Sequence, residues 1–375
     1  MANLNMYRAE LQELEARGNL RKLPPPAGAL VDLSSNDYLG LNQNPALYNR
    51  FLEEVPLESR KPSAASSRLL SGNTQAHIEL EQTIGELYGN EALIYNSGYH
   101  ANTGILPALA GKNDLILADK LVHASLIDGM KLSQATTLRF AHLNYAHLES
   151  LLEQNRGKFE QVFIVSESIF SMDGDVADLE KLIELKQKFD TFLYLDEAHS
   201  VGLLGKQGLG ISEEKNCLKE VDFLVGCMGK SLASIGAFLV CNEVFKSYLI
   251  NRSRTLIFST ALPPINLAWS KFVFELLPSL NLERQRLQSL TQQFSTELGQ
   301  VADSHIIPFL VGENDAAVRL SQQLQQLGFK VLPIRYPTVP KGTARLRFSL
   351  NANMNFDSLL PIIQHLKKHG QTLAQ

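Results

Sequence analysis

A carboxylate, imidazoles, hydroxyls and a lysine fall at the ends of short apolar runs along this chain. Phe192-Leu-Tyr-Leu195 leads into Asp196-Glu-Ala-His199, and Phe223-Leu-Val225 into Gly226-Cys-Met-Gly-Lys230. Val162-Phe-Ile-Val165 delivers Ser166-Glu-Ser168, with Ser171-Met-Asp-Gly174 just beyond, and Ile116-Leu117 leads through Asp119 to His123. Each alone could be a polar strand cap; their coincidence at one rim is informative. A lysine nucleophile must be unprotonated, which an apolar or cationic setting favours by lowering its pKa. A lysine with a carboxylate able to keep a pyridine nitrogen protonated is the donor set of a pyridoxal-phosphate (PLP) site. Lys230 is then the expected Schiff-base residue, Asp196 the ring-nitrogen partner and His199 the phenolic-oxygen partner. The phosphate needs backbone amides at a helix N-terminus, which Asn96-Ser-Gly98-Tyr99 could supply.

Such groups must be positioned by an open α/β sheet, where ligands collect at the carboxyl ends of strands. The apolar runs Ala92–Tyr95, Asp114–Leu117, Val162–Val165, Phe192–Leu195, Phe223–Val225 and Ala237–Val240 alternate with helix-like segments at His77–Tyr88, Leu148–Glu153 and Asp178–Phe189. Continuous apolar runs of four or five residues predict a buried, mostly parallel sheet. Upstream, Leu4, Tyr7, Leu11 and Leu14 recur at helical spacing, with Gly18 as a stop. Pro24-Pro-Pro26 stiffens the connector, and Val31–Gly40 reads as a short strand closing in a turn. After Pro263-Pro264 the pattern changes: helices from about Asn266 and over Glu283–Gly299, then Ile306–Leu310, Ala316–Leu327, Val331–Ile334, Leu346–Leu350 and a final helix over Phe356–His369. The expected division is an N-terminal helix and arm over 1–45, a large domain over 46–265 and a smaller C-terminal α+β domain over 266–375.

Composition narrows the function classes. The 375 residues carry a formal net charge of −4, against the basic surface a nucleic-acid binder needs. Cys217, Cys227 and Cys241 form no CxxC pair and have no metal-ligand spacing, as expected in a reducing cytoplasm. The polar, acidic stretch from Arg8 to Glu15 is no secretory signal, and no apolar run nears the roughly 18–20 residues that span a bilayer. No GxGxxG follows the early strands, which argues against hydride transfer.

From about residue 20 onward the chain resembles the α-oxoamine synthases of PLP fold type I, most closely the 8-amino-7-oxononanoate synthases. Ser35-Asn-Asp-Tyr-Leu-Gly-Leu41, Phe170-Ser-Met-Asp-Gly-Asp175, Asp196-Glu-Ala-His199 and Phe258-Ser-Thr-Ala-Leu-Pro-Pro264 match motifs shared across the family. Pro337-Thr-Val-Pro-Lys-Gly-Thr-Ala-Arg-Leu-Arg347 resembles the oxononanoate-synthase form. The resemblance implies condensation of L-alanine with a pimeloyl thioester, on CoA or a carrier protein, in a cytoplasmic homodimer of biotin biosynthesis. Sister enzymes such as glycine C-acetyltransferase or serine palmitoyltransferase share the same site residues. A non-catalytic scaffold should have lost Lys230. The resemblance further implies that His123 stacks on the ring, that Gly98, Tyr99 and Cys227 face the phosphate, and that Thr260 reaches it from the partner chain. Ser171 would contact the cofactor, Arg347 the amino-acid carboxylate, Asn36 the substrate, and Arg21 with Thr338 the acyl group. The chain departs from the family at Cys227, where threonine is usual, and at Ser231–Ile235 and Ser63–Ser67, which replace glycine-rich stretches.

Overall fold

Apolar runs without polar alternation must be covered on both faces, and here they pair into one seven-stranded sheet. The computed structural model describes residues 4–373. In chain order it contains α1 (Leu4–Ala16), β1 (Val31–Asp32), α2 (Pro45–Glu54), α3 (Gln75–Tyr88), β2 (Glu91–Tyr95), α4 (Gly98–Leu109), β3 (Leu115–Asp119) and α5 (Ala124–Leu132). Next come β4 (Thr136–Phe140), α6 (Tyr145–Asn155), β5 (Val162–Glu167), α7 (Leu179–Phe189), β6 (Phe192–Asp196), α8 (Ile211–Glu214), β7 (Phe223–Cys227) and β8 (Ala237–Cys241). The remainder is α9 (Glu243–Arg252), α10 (Arg254–Ile257), α11 (Pro264–Leu276), α12 (Asn281–Glu297), β9 (Ile306–Gly312), α13 (Asn314–Gln326), β10 (Phe329–Lys330), β11 (Pro333–Ile334), β12 (Ala344–Ser349) and α14 (Phe356–Leu373).

The large sheet has the order β2-β8-β7-β6-β5-β3-β4. Only β8 runs against its neighbours, so the sheet is mostly parallel, as expected. Because β8 is antiparallel to both β2 and β7, β2 points the same way as β3, β5, β6 and β7. Tyr95, Asp119, Glu167, Asp196 and Cys227 therefore end their strands at one rim. The six expected strands are all present. The seventh, β4, has the polar composition of an edge: Thr136 and Arg139 are exposed and only Phe140 is buried, which leaves no apolar run to read.

Two compact units divide the chain. One comprises Asn36–Ser171 and Asp175–Gln285 and holds the large sheet. The other takes the chain up to Ser35, the short piece Met172–Gly174 and everything from Arg286 on. It contains the antiparallel sheet β11-β12-β9 and the parallel pair β1-β10. This differs from the expected boundaries at 45 and 265. The arm joins the C-terminal unit because Val31 and Asp32 pair with Phe329 and Lys330, and Ser349 donates to the Leu33 carbonyl at 2.8 Å. α11 stays with the large unit because Trp269 and Phe272 pack on Phe51, with ring centroids 5.2 and 5.7 Å apart. The expected strand Val331–Ile334 is instead two short pairings, β10 with β1 and β11 with β12. α1 forms where predicted, yet buries none of its residues; Leu4, Tyr7 and Leu11 are each more than half exposed. Among the described residues no helix is long and apolar enough to cross a membrane.

Candidate active site

Asp196 is the last residue of β6, opposite Glu167 of β5 on one side and Val225 of β7 on the other. Its buried carboxylate accepts the Ala198 amide at 2.9 Å through Oδ1 and Asn102 Nδ2 at 2.8 Å through Oδ2. Asn102 lies inside α4 and is itself buried. Its second Nδ2 hydrogen goes to Ser125 Oγ at 2.9 Å, and its Oδ1 accepts the Tyr194 hydroxyl at 2.7 Å. All three polar functions of that amide are used, so the carboxylate is fixed by a side chain that is itself fixed.

Lys230 follows β7, half-buried, with Nζ 2.7 Å from His199 Nε2. On the other side of that ring, Nδ1 lies 2.8 Å from the Tyr38 hydroxyl, which donates to Asn36 Oδ1 at 2.9 Å. The single Tyr38 proton goes to Asn36, so Tyr38 accepts from His199 Nδ1–H. This assigns the tautomer: Nε2 is the acceptor facing Lys230. The chain Lys230–His199–Tyr38–Asn36 thus presents the lysine amine with a fixed proton acceptor.

His123 caps α5. Its Nδ1 takes the Ser125 amide at 3.2 Å and lies 2.7 Å from Ser125 Oγ, leaving the hydrogen on Nε2. The ring keeps open surface, but the protein around it is dense enough for burial to lower its pKa. Lys230 adds to that lowering, Asp196 opposes it, and the ring is neutral at physiological pH. Glu167 Oε1 accepts the His123 amide. Burial first, then the neighbouring Asp196 carboxylate, push the Glu167 carboxyl up to about 8. It keeps its proton at neutral pH and adds no second negative charge beside Asp196.

A model of the class I and II aminotransferases matches residues 29–366. The chain belongs to that family. Within it, the chain is 48% identical over 369 residues to a Pasteurella multocida protein named "putative 8-amino-7-oxononanoate synthase", covering 94% of this chain and 95% of that one. It is 47% identical over 380 residues to a Haemophilus influenzae Rd protein of the same name, covering 97% and 100%. A serine palmitoyltransferase from S. paucimobilis with a bound PLP–myriocin aldimine superposes with TM-score 0.88 at 27% identity, covering 99% and 98%. An 8-amino-7-oxononanoate synthase from Francisella tularensis does so with TM-score 0.79 at 29%, covering 93% and 100%. The chain is therefore a PLP-dependent α-oxoamine synthase, an acyl-transferring enzyme of fold type I.

The residues of the large unit fit PLP. Asp196 offers a fixed carboxylate, Lys230 an amine and His123 a neutral ring. Ser97 Oγ caps the His100 amide, which leaves the first amides of α4, at Gly98 and Tyr99, for an outside anion. Gly98 keeps that approach open: a Cβ there would meet only Cys227 Sγ, at 4.0 Å. Cys227 ends β7 with its thiol, a weak donor, 3.8 Å from the Gly236 carbonyl. Tyr99 is exposed and donates its hydroxyl to Asp128. Thr260 is exposed, and its carbonyl takes Asn96 Nδ2 at 2.6 Å. Ser171 begins a turn closed by the Phe170 amide on the Asp175 carbonyl at 2.9 Å. Asn36 stands at the end of the histidine chain.

The other three expected substrate residues lie in the other unit. Arg21 Nη2 donates to Thr338 Oγ1 at 3.0 Å, joining two residues that sequence separates by 317 positions. Arg347, buried on β12, donates to Ser349 Oγ at 2.7 Å, while Arg345 is paired with Asp173. Sequence reasoning missed Asn102, Ser125, Tyr38 and Glu167 as site residues. Tyr38 lay inside the Ser35–Leu41 motif and Glu167 at a strand end, so both carried a signal; Asn102 and Ser125 had none.

Proposed function

We propose that this enzyme joins L-alanine to a pimeloyl thioester, giving 8-amino-7-oxononanoate, CO2 and free thiol in biotin biosynthesis. The observation that carries this reading is the 47–48% identity, over nearly the whole chain, to proteins of that name. Identity to serine palmitoyltransferases of the same fold is 27%.

When bound, PLP supplies the sink for the electrons released at the amino-acid Cα. Asp196 would hold the ring nitrogen and keep it protonated, the state in which that sink is effective. Lys230 Nζ takes the Cα proton, with His199 Nε2 adjacent as acceptor and the Tyr38–Asn36 chain holding the ring hydrogen on Nδ1. The Cα then bonds to the thioester carbonyl carbon, the C–S bond breaks and the sulfur leaves as a thiolate that takes a proton from solvent. Loss of the alanine carboxylate as CO2 leaves a position that Lys230 reprotonates. His123 presents Nε2–H to orient the carboxylate or the acyl oxygen. Arg347 supplies the bidentate partner for the alanine carboxylate, and Arg21 with Thr338 meets the acyl group.

The working unit in this reading is a homodimer. A π-helical turn, Arg68–Gly72, exposes Leu69 and Leu70 at 50% and 82%, and Phe258 is 70% exposed. These flank the Ser67–Thr260 bridge and form an apolar surface suited to a second copy carrying Thr260 toward its neighbour's phosphate. Free thiols at Cys217 and Cys241, raised to about 11 and 12 chiefly by burial, fit a reducing cytoplasm.

Product mass analysis tests the substrate choice, with alanine plus pimeloyl-CoA run beside glycine plus acetyl-CoA and serine plus palmitoyl-CoA. Strong preference for either sister pair overturns it.

A further inference from the structure

A second polar cluster stands apart from the Lys230 chain. His142 lies in the loop between β4 and α6. Its Nδ1 is 2.9 Å from Asp119 Oδ1 and its Nε2 is 2.9 Å from Asp175 Oδ2. A carboxylate on each nitrogen requires a hydrogen on each, so the ring is an imidazolium. It meets Phe170 edge-on, with centroids 4.5 Å apart and planes at 87°. Asp119 is fully buried and also accepts the amides of Leu121 at 2.8 Å and Leu143 at 2.9 Å. The second of these holds Leu143 in the left-handed region, at φ 52°. Two residues beyond Leu121 is His123. On the other side, the Asp175 carbonyl closes the turn that begins with Ser171. Among the described residues no cluster of His, Cys, Asp and Glu could hold a metal ion, so the arrangement is an ion-pair clamp.

We propose that His142 is a positioning residue whose imidazolium ties the loop leading into His123 to the loop carrying Ser171. The proposal deepens the reading of those two residues as parts of the PLP site, without depending on which acyl donor is used. Burial opposes charge on His142, but the hydrogen bonds and charges of Asp119 and Asp175 outweigh it and hold its pKa at about 9. The other titratable and charged groups around the clamp include Lys120 directly after Asp119, Arg139 of β4, which donates to the Lys120 carbonyl, His147 of α6, whose Nδ1 accepts the Ala141 amide at 3.0 Å, Tyr145 of α6, Asp178 at the start of α7 and Glu167 of β5. Tyr145 accepts the Asp178 amide and is raised by burial, so it stays protonated; Glu167, which senses Asp119, titrates near 8.

The test uses the holoenzyme and His142→Gln. Histidine 13C NMR, with the His142 signal assigned by its loss in the variant, should give a titration near 9. Hydrogen exchange of the Leu121, Leu143 and Phe170 amides should be roughly tenfold faster in His142→Gln at pH 7, the worth of about one net hydrogen bond. In wild type, after correction for intrinsic rates, the same loosening should set in between pH 8 and 10. In the variant that step is absent, which separates it from the Glu167 titration. If His142→Gln does not fold, Asp175→Asn decides: the His142 titration falls and the Phe170 amide exchanges faster. A His142 titration near its ordinary value, or exchange in both loops indifferent to either variant, overturns the proposal. None of these readouts uses a substrate, so a wrong choice of amino acid or thioester leaves the test intact.

Discussion

Asn102 fixes both the Asp196 carboxylate, the proposed pyridinium partner, and, through Ser125, the His123 ring, so Asn102→Leu is the most informative single change at the site. Leucine has nearly the same shape but no polar atoms. The Tyr194 hydroxyl loses its acceptor in a fully buried setting where water cannot replace it. An orphaned buried hydroxyl costs about 1–3 kcal/mol, and a lost hydrogen bond to a charged carboxylate about 1.5–3 kcal/mol. Ser125 can turn its hydroxyl and adds little. The sum is about 2.5–6 kcal/mol, a large fraction of ordinary protein stability. Urea unfolding of the holoenzyme should show a lower midpoint with an unchanged slope. Asp196 retains only the Ala198 amide at 2.9 Å, so its carboxylate can swing and the pyridinium is held less well. Cofactor dissociation, followed by visible absorbance on dilution, should rise by about tenfold, equivalent to about 1.4 kcal/mol. A variant within about 1 kcal/mol of wild type, with unchanged cofactor affinity, refutes the hub argument.

Other variants probe the remaining groups. Lys230→Ala should abolish turnover and the visible cofactor band, because the amine proposed both to anchor the cofactor and to move the Cα proton is gone. Arg347→Lys should raise the alanine KM by roughly ten- to hundredfold, with a smaller change in kcat, since a point charge replaces a planar fork. His142 has a folded pKa of about 9 against an ordinary 6.5, so its contribution is complete below 6.5 and lost as pH rises through 9. With its side chain 21% exposed, that contribution is about 1–3 kcal/mol after allowance for screening, read as the excess of the wild-type stability change between pH 6.5 and 10 in urea over the change in His142→Gln, which keeps the Glu167 titration. Glu167 is also raised, to about 8 from 4.5, so burying it becomes a cost as pH rises through that range. Glu167→Gln keeps an acceptor for the His123 amide without a titratable charge, and should unfold at higher urea than wild type at pH 9 by about 1–3 kcal/mol.

What the sequence disclosed follows from how each group is carried. Asp196, His199 and Lys230 stand just beyond uninterrupted apolar runs, so the local pattern that predicts a buried strand also places the reactive group at its end. β4 escaped because an edge strand of Thr, Thr, Leu, Arg and Phe carries no such run. The N-terminal arm escaped for a different reason: two residues, Val31 and Asp32, pair with a strand about three hundred positions later, and local pattern holds no trace of that. The same limit governs the site. Asn102 reaches Asp196 across 94 positions and Tyr194 across 92, while Tyr38 reaches His199 across 161. Within α4, Asn102 reads only as an indifferent helix former, and nothing in its neighbours distinguishes it from a solvent-facing amide. Reactive groups are written locally because strand ends are local; the groups that hold them are contributed by whichever helix or loop the topology lays beside the rim. Knowing the strand order restores much of this. Once β2 is seen to point the same way as β6, the helix that follows it must start at the same rim, and its first buried polar residue becomes a candidate for holding Asp196.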